Sequence, residues 1–223
     1  MKFSIGRMFL ILGLSIFLCA ETAQATPVGY TDYSSYMAAL PGSASTLDFD
    51  SLSSGYIISD GDTIGGITFI YNFGSVQMMV SDAFDTTSPE NFLGTDDANV
   101  FQDGDDFNLS FGPVNAIGMF FITADLMDDN DITLSAAGTS VGLSVADAGA
   151  DVGDEGIPYF LGIIDDTNPF TTASIDTNGG GFFLYNVDDI TTSLSASVPD
   201  VSVIWLLGPS LVGIAMFRRK IRK

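Results

Sequence analysis

The chain reads as an all-β protein, a β-sandwich wound as a jelly roll, with one short helix at its N-terminal side and an apolar helix at its C-terminal end. Three features of residues 26–197 point there. Their ordered-looking runs are short and rich in Ile, Val, Phe, Thr and Tyr; Gly, Asn, Asp and Ser clusters punctuate them at even spacing; and the length suits one domain with a sizeable core.

The helix is predicted first, from Tyr30 to Leu40, with Thr31 as N-cap and Pro41 as its stop. Strands are expected at 46–50, 66–73, 76–81, 107–111, 114–123, 131–136, 139–145, 159–164, 171–176 and 182–187. The acidic stretch 147–156 is expected to be a loop. The domain is expected to close at residue 190, and the small polar run 191–197 then reads as a spacer that lifts it off a membrane. No internal repeat is visible.

Both ends of the chain carry address signals. Lys2 and Arg7 precede an apolar run from Met8 to Ala20, and Ala23 and Ala25 place small residues where a signal peptidase inspects them. Cleavage after Ala25 is expected, leaving Thr26 as the mature terminus. A spanning helix is disfavoured because the run is short and ends in polar Glu21, Thr22 and Gln24. Bulky Phe17 and Leu18 in front of Cys19 argue against lipid attachment there. At the other end, the uncharged stretch 201–217 is followed by Arg218, Arg219, Lys220, Arg222 and Lys223. That order predicts a membrane helix with a cytoplasmic basic stop and an external domain.

Val198, Pro199 and Asp200, the apolar stretch with Gly208 and Gly213, and the basic end together resemble a PEP-CTERM sorting signal. In that family a Val-Pro-Glu-Pro-like motif precedes a short helix and an Arg-rich end. Here Asp200 stands where the family has glutamate, and Val201 where it has the second proline. The resemblance implies an exosortase-like membrane processing enzyme as partner. It implies passage through an inner-membrane intermediate to the surface or exterior of a Gram-negative bacterium, and says nothing of what the domain does.

Charge narrows the chemistry of that domain. Two of the seven basic residues lie in the leader and five at the C-terminal end, so residues 26–197 hold none; of the 28 acids only Glu21 and Asp200 lie outside, leaving 26. The chain has no histidine, and its one cysteine lies in the leader. Nucleic-acid binding lacks the cations that neutralise phosphate, and phosphoryl transfer lacks its clamps. Thiol catalysis, disulfides, soft-metal sites and a Ser-His-Asp triad are excluded by composition. Hydrolysis by a carboxylate pair is the common mechanism left, with Glu90 and Glu155 as the longer acids, but nothing marks a pair and no catalytic residue is assigned.

Residues 91–94 (Asn-Phe-Leu-Gly), 107–118 and 183–190 resemble lectin-like jelly-roll domains. There a strand ending in a Pro-Val turn feeds a central strand, and the last strand closes on an Asp-Asp pair. The resemblance implies a binding or structural role. Three functions stay open: a non-enzymatic matrix or surface protein, associated with exopolysaccharide because the C-terminal signal resembles a system tied to such matrices; a carbohydrate-binding module using Tyr56, Tyr71, Tyr159 or Tyr185 as stacking platforms; and a carboxylate-pair glycosidase. In many such modules an ion ties the first strand to the last, which here would set Asp48 and Asp50 near Asp188 and Asp189. Oxygen-only ligands suit calcium, so a structural Ca2+ is the cofactor expected at these four residues. Asp103, Asp105 and Asp106 around Gly104 form a weaker second candidate.

Overall fold

A computed structural model describes residues 26–124, 127–153, 156–177 and 181–195. Ala23, Ala25, the Val198-Pro199-Asp200 motif, the apolar stretch, the five terminal cations and Glu155 lie outside the described residues. No described helix is long and apolar enough to cross a membrane.

The described chain forms two antiparallel sheets. In order, the elements are β1 (Val28–Tyr30), α1 (Tyr33–Ala39), β2 (Ala44–Leu47), β3 (Ile57–Ile58), β4 (Thr63–Ile64), β5 (Ile67–Ile70), β6 (Met78–Ser81), β7 (Phe92–Thr95) and β8 (Phe101–Gln102). Then come β9 (Phe107–Val114), β10 (Ala116–Thr123), β11 (Ile132–Ala136), β12 (Thr139–Gly142), a 3-10 turn (Val145–Asp147), β13 (Ile157–Ile164), β14 (Phe170–Thr177) and β15 (Leu184–Ser193). Sheet A runs β1-β13-β10-β15-β7-β6-β3, with β2 and β8 also paired to β15; sheet B runs β12-β11-β14-β9-β5-β4. From β8 onward the chain passes between the sheets at nearly every connection, so neighbours in space are distant in sequence.

Period-two patterning explains sheet B. β11 (Ile-Thr-Leu-Ser-Ala) alternates buried and half-buried positions, and Phe107, Leu109, Leu134, Ala173 and Ile175 point inward. They meet Ile117, Met119, Phe121, Leu161, Ile163 and Val187 from sheet A in one core. β13 does not alternate: Pro158 to Ile164 are all buried, because sheet A is covered on its outer face too.

Part of that cover is α1. Tyr36 is fully buried among Phe160, Ala116 and Ile164, and its hydroxyl donates to the Thr191 carbonyl at 3.2 Å. Gly118 and Gly162 make the space, since a Cβ at Gly162 would stand 2.6 Å from the Tyr36 ring and one at Gly118 2.5 Å from the Phe160 ring.

Several expected boundaries move, each for a local reason. Asp32 caps the helix in place of Thr31: its carboxylate accepts the Ser35 N–H at 2.8 Å, while the Thr31 hydroxyl donates to Asp147. The helix is therefore shorter than expected, and Tyr30 belongs to β1. The Pro-Val turn is also displaced, because β9 runs through Pro113 to Val114 and the chain turns at buried Asn115. The Asn115 amide donates to the Asp165 carbonyl and its oxygen accepts the Ser195 N–H. β15 does not stop at the Asp pair. It bulges at Asp189, whose φ is +52°, and continues to Ser193, paired with both β2 and β10. Residues 191–193 are thus sheet and not spacer: Thr191 is fully buried, and the domain extends past residue 190 to the Ser195 contact.

Candidate functional site

The pairing of β2 with β15, Leu47 against Ile190, brings the expected acids to one place. Asp48 and Asp50 follow β2 directly, and Asp188 and Asp189 sit at the bulge. Asp188 projects to the outer face of sheet A, fully buried beneath residues 86–88. One carboxylate oxygen accepts the Thr86 hydroxyl at 2.7 Å, the Thr87 hydroxyl at 3.1 Å and the Ser88 N–H at 2.8 Å; the other accepts the Asp189 N–H at 2.7 Å. Burial, with repulsion from Asp189, pushes its carboxyl up to about 6 against these donors. Burial also raises Asp189, a Thr87 hydrogen bond opposes it, and Asp48 and Asp50 add repulsion.

The two earlier acids hold backbone. Asp50 accepts the N–H groups of Glu90 and Asn91, at 3.2 and 2.9 Å, and Asp48 accepts the Asp50 N–H at 3.2 Å. Asp50 and Asp188, with the Asp48 backbone carbonyl that accepts the Ser88 hydroxyl at 3.2 Å, pin the 86–91 loop across the seam between β2 and β15. Among the described residues, no three His, Cys, Asp or Glu side chains are grouped so as to hold a metal ion. The juxtaposition expected from sequence is present, and the donors that seat Asp188 are hydroxyls and amides.

The second acidic cluster is closed in the same way. Asp105 accepts the Tyr71 hydroxyl at 3.1 Å and the Gln102 N–H at 2.7 Å, while Asp106 accepts the Thr177 N–H and hydroxyl at 2.7 and 2.9 Å. Burial raises the Asp105 carboxyl. The Tyr185 hydroxyl donates to the Asp105 carbonyl at 2.7 Å.

Three of the four candidate stacking tyrosines are core: Tyr71, Tyr159 and Tyr185 are buried, and Tyr56 alone is exposed. They cannot serve as platforms where they stand. Glu90 is exposed in the pinned loop.

Sheet B carries a feature not singled out from the sequence. Among the described residues no helix or loop covers its outer face, and register places Thr63, Thr68, Ser110 and Thr172 in one cross-strand row and Ile70, Asn108, Ser174, Ser135 and Ser140 in the next. An open groove of about 330 Å3 lies on this face beside the β11–β12 turn. Among the described residues its lining holds no charged and no aromatic side chain, and Asp176 lies next to it, accepting the Ser174 hydroxyl at 2.7 Å. The signal was the polar half of the strand alternation, which pattern reading uses only to locate the core. A smaller apolar cleft of about 70 Å3 lies on sheet A between Phe84, Ile122 and Leu184.

Compared with known protein families and with curated protein sequences, the chain matches none.

Proposed function

We propose that this chain is an exported, non-enzymatic protein of the cell surface or extracellular matrix, associated with exopolysaccharide and delivered by exosortase-like processing of its C-terminal signal. The observation that carries the non-enzymatic part is the use made of the buried carboxylates. Asp105, Asp131, Asp165 and Asp188 each accept backbone N–H or hydroxyl donors that close a turn or pin a loop. A general acid or nucleophile needs a carboxylate facing a substrate-sized space, and these face their own backbone. The address rests on the order of motif, apolar stretch and basic end from Val198 to Lys223, with the membrane engaged through that stretch.

The strand order supports the jelly-roll form of the sandwich. β8-β15-β10-β13 in one sheet and β9-β14-β11-β12 in the other reproduce the interleaving of two Greek keys, with the remaining strands added at the edges. A carbohydrate-binding module is the second reading, and the hydroxyl-lined groove on sheet B is the observation that favours it.

Sorting is tested by replacing Arg218, Arg219, Lys220, Arg222 and Lys223 with neutral residues, then fractionating cells and weighing the mature protein. The expected result is retention in the wrong compartment or an unprocessed mass. Delivery to the same place at the same mass would overturn the sorting signal.

A further inference from the structure

We propose that the groove on the outer face of sheet B binds a neutral polysaccharide chain. This inference deepens the exopolysaccharide association above by assigning it a site and a ligand class, and it rests on the non-enzymatic reading. The groove is lined by Asn108, Ser135, Thr139, Ser140, Thr172 and Ser174, which come from four different strand segments and meet only because β9, β14, β11 and β12 are neighbours.

Charge selects the ligand. Residues 26–197 carry 26 acids and no cation, the remaining two acids being Glu21 and Asp200, yet none of those acids lines this groove. An anionic polymer meets the field of the whole domain and is repelled, and a cationic one would find better seats at the acidic loops. A neutral polymer is indifferent to that field.

Hydrogen-bonding capacity narrows it further. A carboxylate only accepts, whereas Ser and Thr hydroxyls and the Asn amide both donate and accept, the pairing that a sugar hydroxyl requires. The face is already organised for it. Ser135 and Ser140 hydroxyls lie 2.7 Å apart, and the Ser174 hydroxyl donates to the Asp176 carboxylate beside the groove at 2.7 Å, so Ser174 meets a ligand as an acceptor. Small side chains hold few rotamers, so ordering them on binding costs little.

Repetition points to a chain and not a single sugar. The rows step across strands at about 4.8 Å, close to the length of one sugar unit, so successive units meet successive strands. No aromatic ring lines the groove, so binding relies on hydrogen bonds and is weak per unit. A repeating ligand recovers affinity through several such contacts.

The test is affinity electrophoresis of the full protein through gels holding dextran, a soluble mixed-linkage β-glucan or the acidic polymer polygalacturonate. Retardation by at least one neutral polymer and by polygalacturonate not at all is expected. The charge-inserting Ser174→Glu should weaken retardation at least tenfold, and Asn108→Ala severalfold. Thermal midpoints confirm that each variant is folded, and Asn108→Ala, on an exposed side chain, serves as the reporter if Ser174→Glu does not fold. No retardation by either neutral polymer, equal retardation by polygalacturonate, or an unchanged response in both variants would overturn the site. Cell fractionation separates this from the sorting proposal: groove variants should reach their normal destination, and a mislocalised tail variant should still be retarded.

Discussion

The outer faces of the two sheets differ in kind although the strands beneath them pack into one core. Sheet A is roofed by α1 and by the 86–91 loop, and its outer side chains include Tyr36-packed Phe160, Ile164 and fully buried Asp188. Among the described residues sheet B is bare and presents mainly Ser, Thr and Asn, with Ile70 and Asp176 on the same face. A roofed face must satisfy every polar group it buries, which is why Asp188 collects four donors. A bare face leaves that work to water and keeps its groups available to a ligand. Stability and binding are therefore expected to map to opposite sides of the molecule.

Truncation should expose the difference most strongly. Tyr36→Ala removes a ring packed against Phe160, at a centroid distance of 5.0 Å, together with the hydrogen bond to Thr191. It is expected to destabilise the domain by about 3–5 kcal/mol. Thr172→Ala, on the bare face, should shift stability by less than about 0.5 kcal/mol. Urea unfolding of both variants checks the contrast, and comparable losses would mean that sheet B has a roof of its own.

A smaller effect separates the faces by pH. The Asp188 carboxyl is raised from 3.8 to about 6, so the folded state holds its proton more tightly than the unfolded chain. Its contribution to stability is full below 3.8 and is lost as pH rises through about 6, a change of about 3 kcal/mol. Asp105 and Asp189 shift in the same direction. Asp165 runs the other way: burial alone would raise it, but hydrogen bonds from Asn168 and Thr167 hold it below its usual value, so its share fades only at lower pH. The urea midpoint should therefore rise as pH falls from 7 toward 4, and Asp188→Asn should remove Asp188's share of that rise. A wild-type curve that is flat or falls across this window would show that the four donors outweigh burial.

What the sequence discloses follows the same division. Strands with one wet face, such as β11 and β14, are located to within a residue or two because their alternation is intact. Short strands escape: β3, β4 and β8 have two residues each, too few for a period to register. β7 escapes for a different reason, since Phe92 to Thr95 are buried throughout and include Gly94, whose missing Cβ admits the Asn99 carbonyl. The meeting of Asp48 and Asp50 with Asp188 and Asp189 was legible because it depends only on an early strand pairing with the last, which here is β2 on β15. The hydroxyls that seat Asp188 were not, because Thr86, Thr87 and Ser88 lie about a hundred residues away and reach it only through the roof. The groove was hidden because it needs the register of four strands.

Calcium provides the finest test of the comparison, because the acids expected to bind it lie on the roofed side. Asp189 sits near Asp48 and Asp50, and residues 26–197 hold no cationic side chain to offset the repulsion. A divalent ion there would relieve it. Asp188, however, already has one oxygen taken by Thr86, Thr87 and Ser88 and accepts the Asp189 N–H on the other, and Asp50 spends one oxygen on two N–H groups. Calcium needs six to eight oxygens, so it would have to displace those donors or complete its shell with water. General screening of the acidic domain is then the larger part of any ion effect, and a calcium-specific part should be small. The measurement is thermal unfolding of the full protein in calcium chloride, in sodium chloride at equal ionic strength, and in excess chelator. Calcium and sodium should raise the midpoint by nearly the same amount, and chelator should leave it at the low-salt value. A rise that only calcium gives, and that Asp189→Asn abolishes, would instead make the seam between β2 and β15 an ion-tied joint and move part of the domain's binding chemistry to its roofed side.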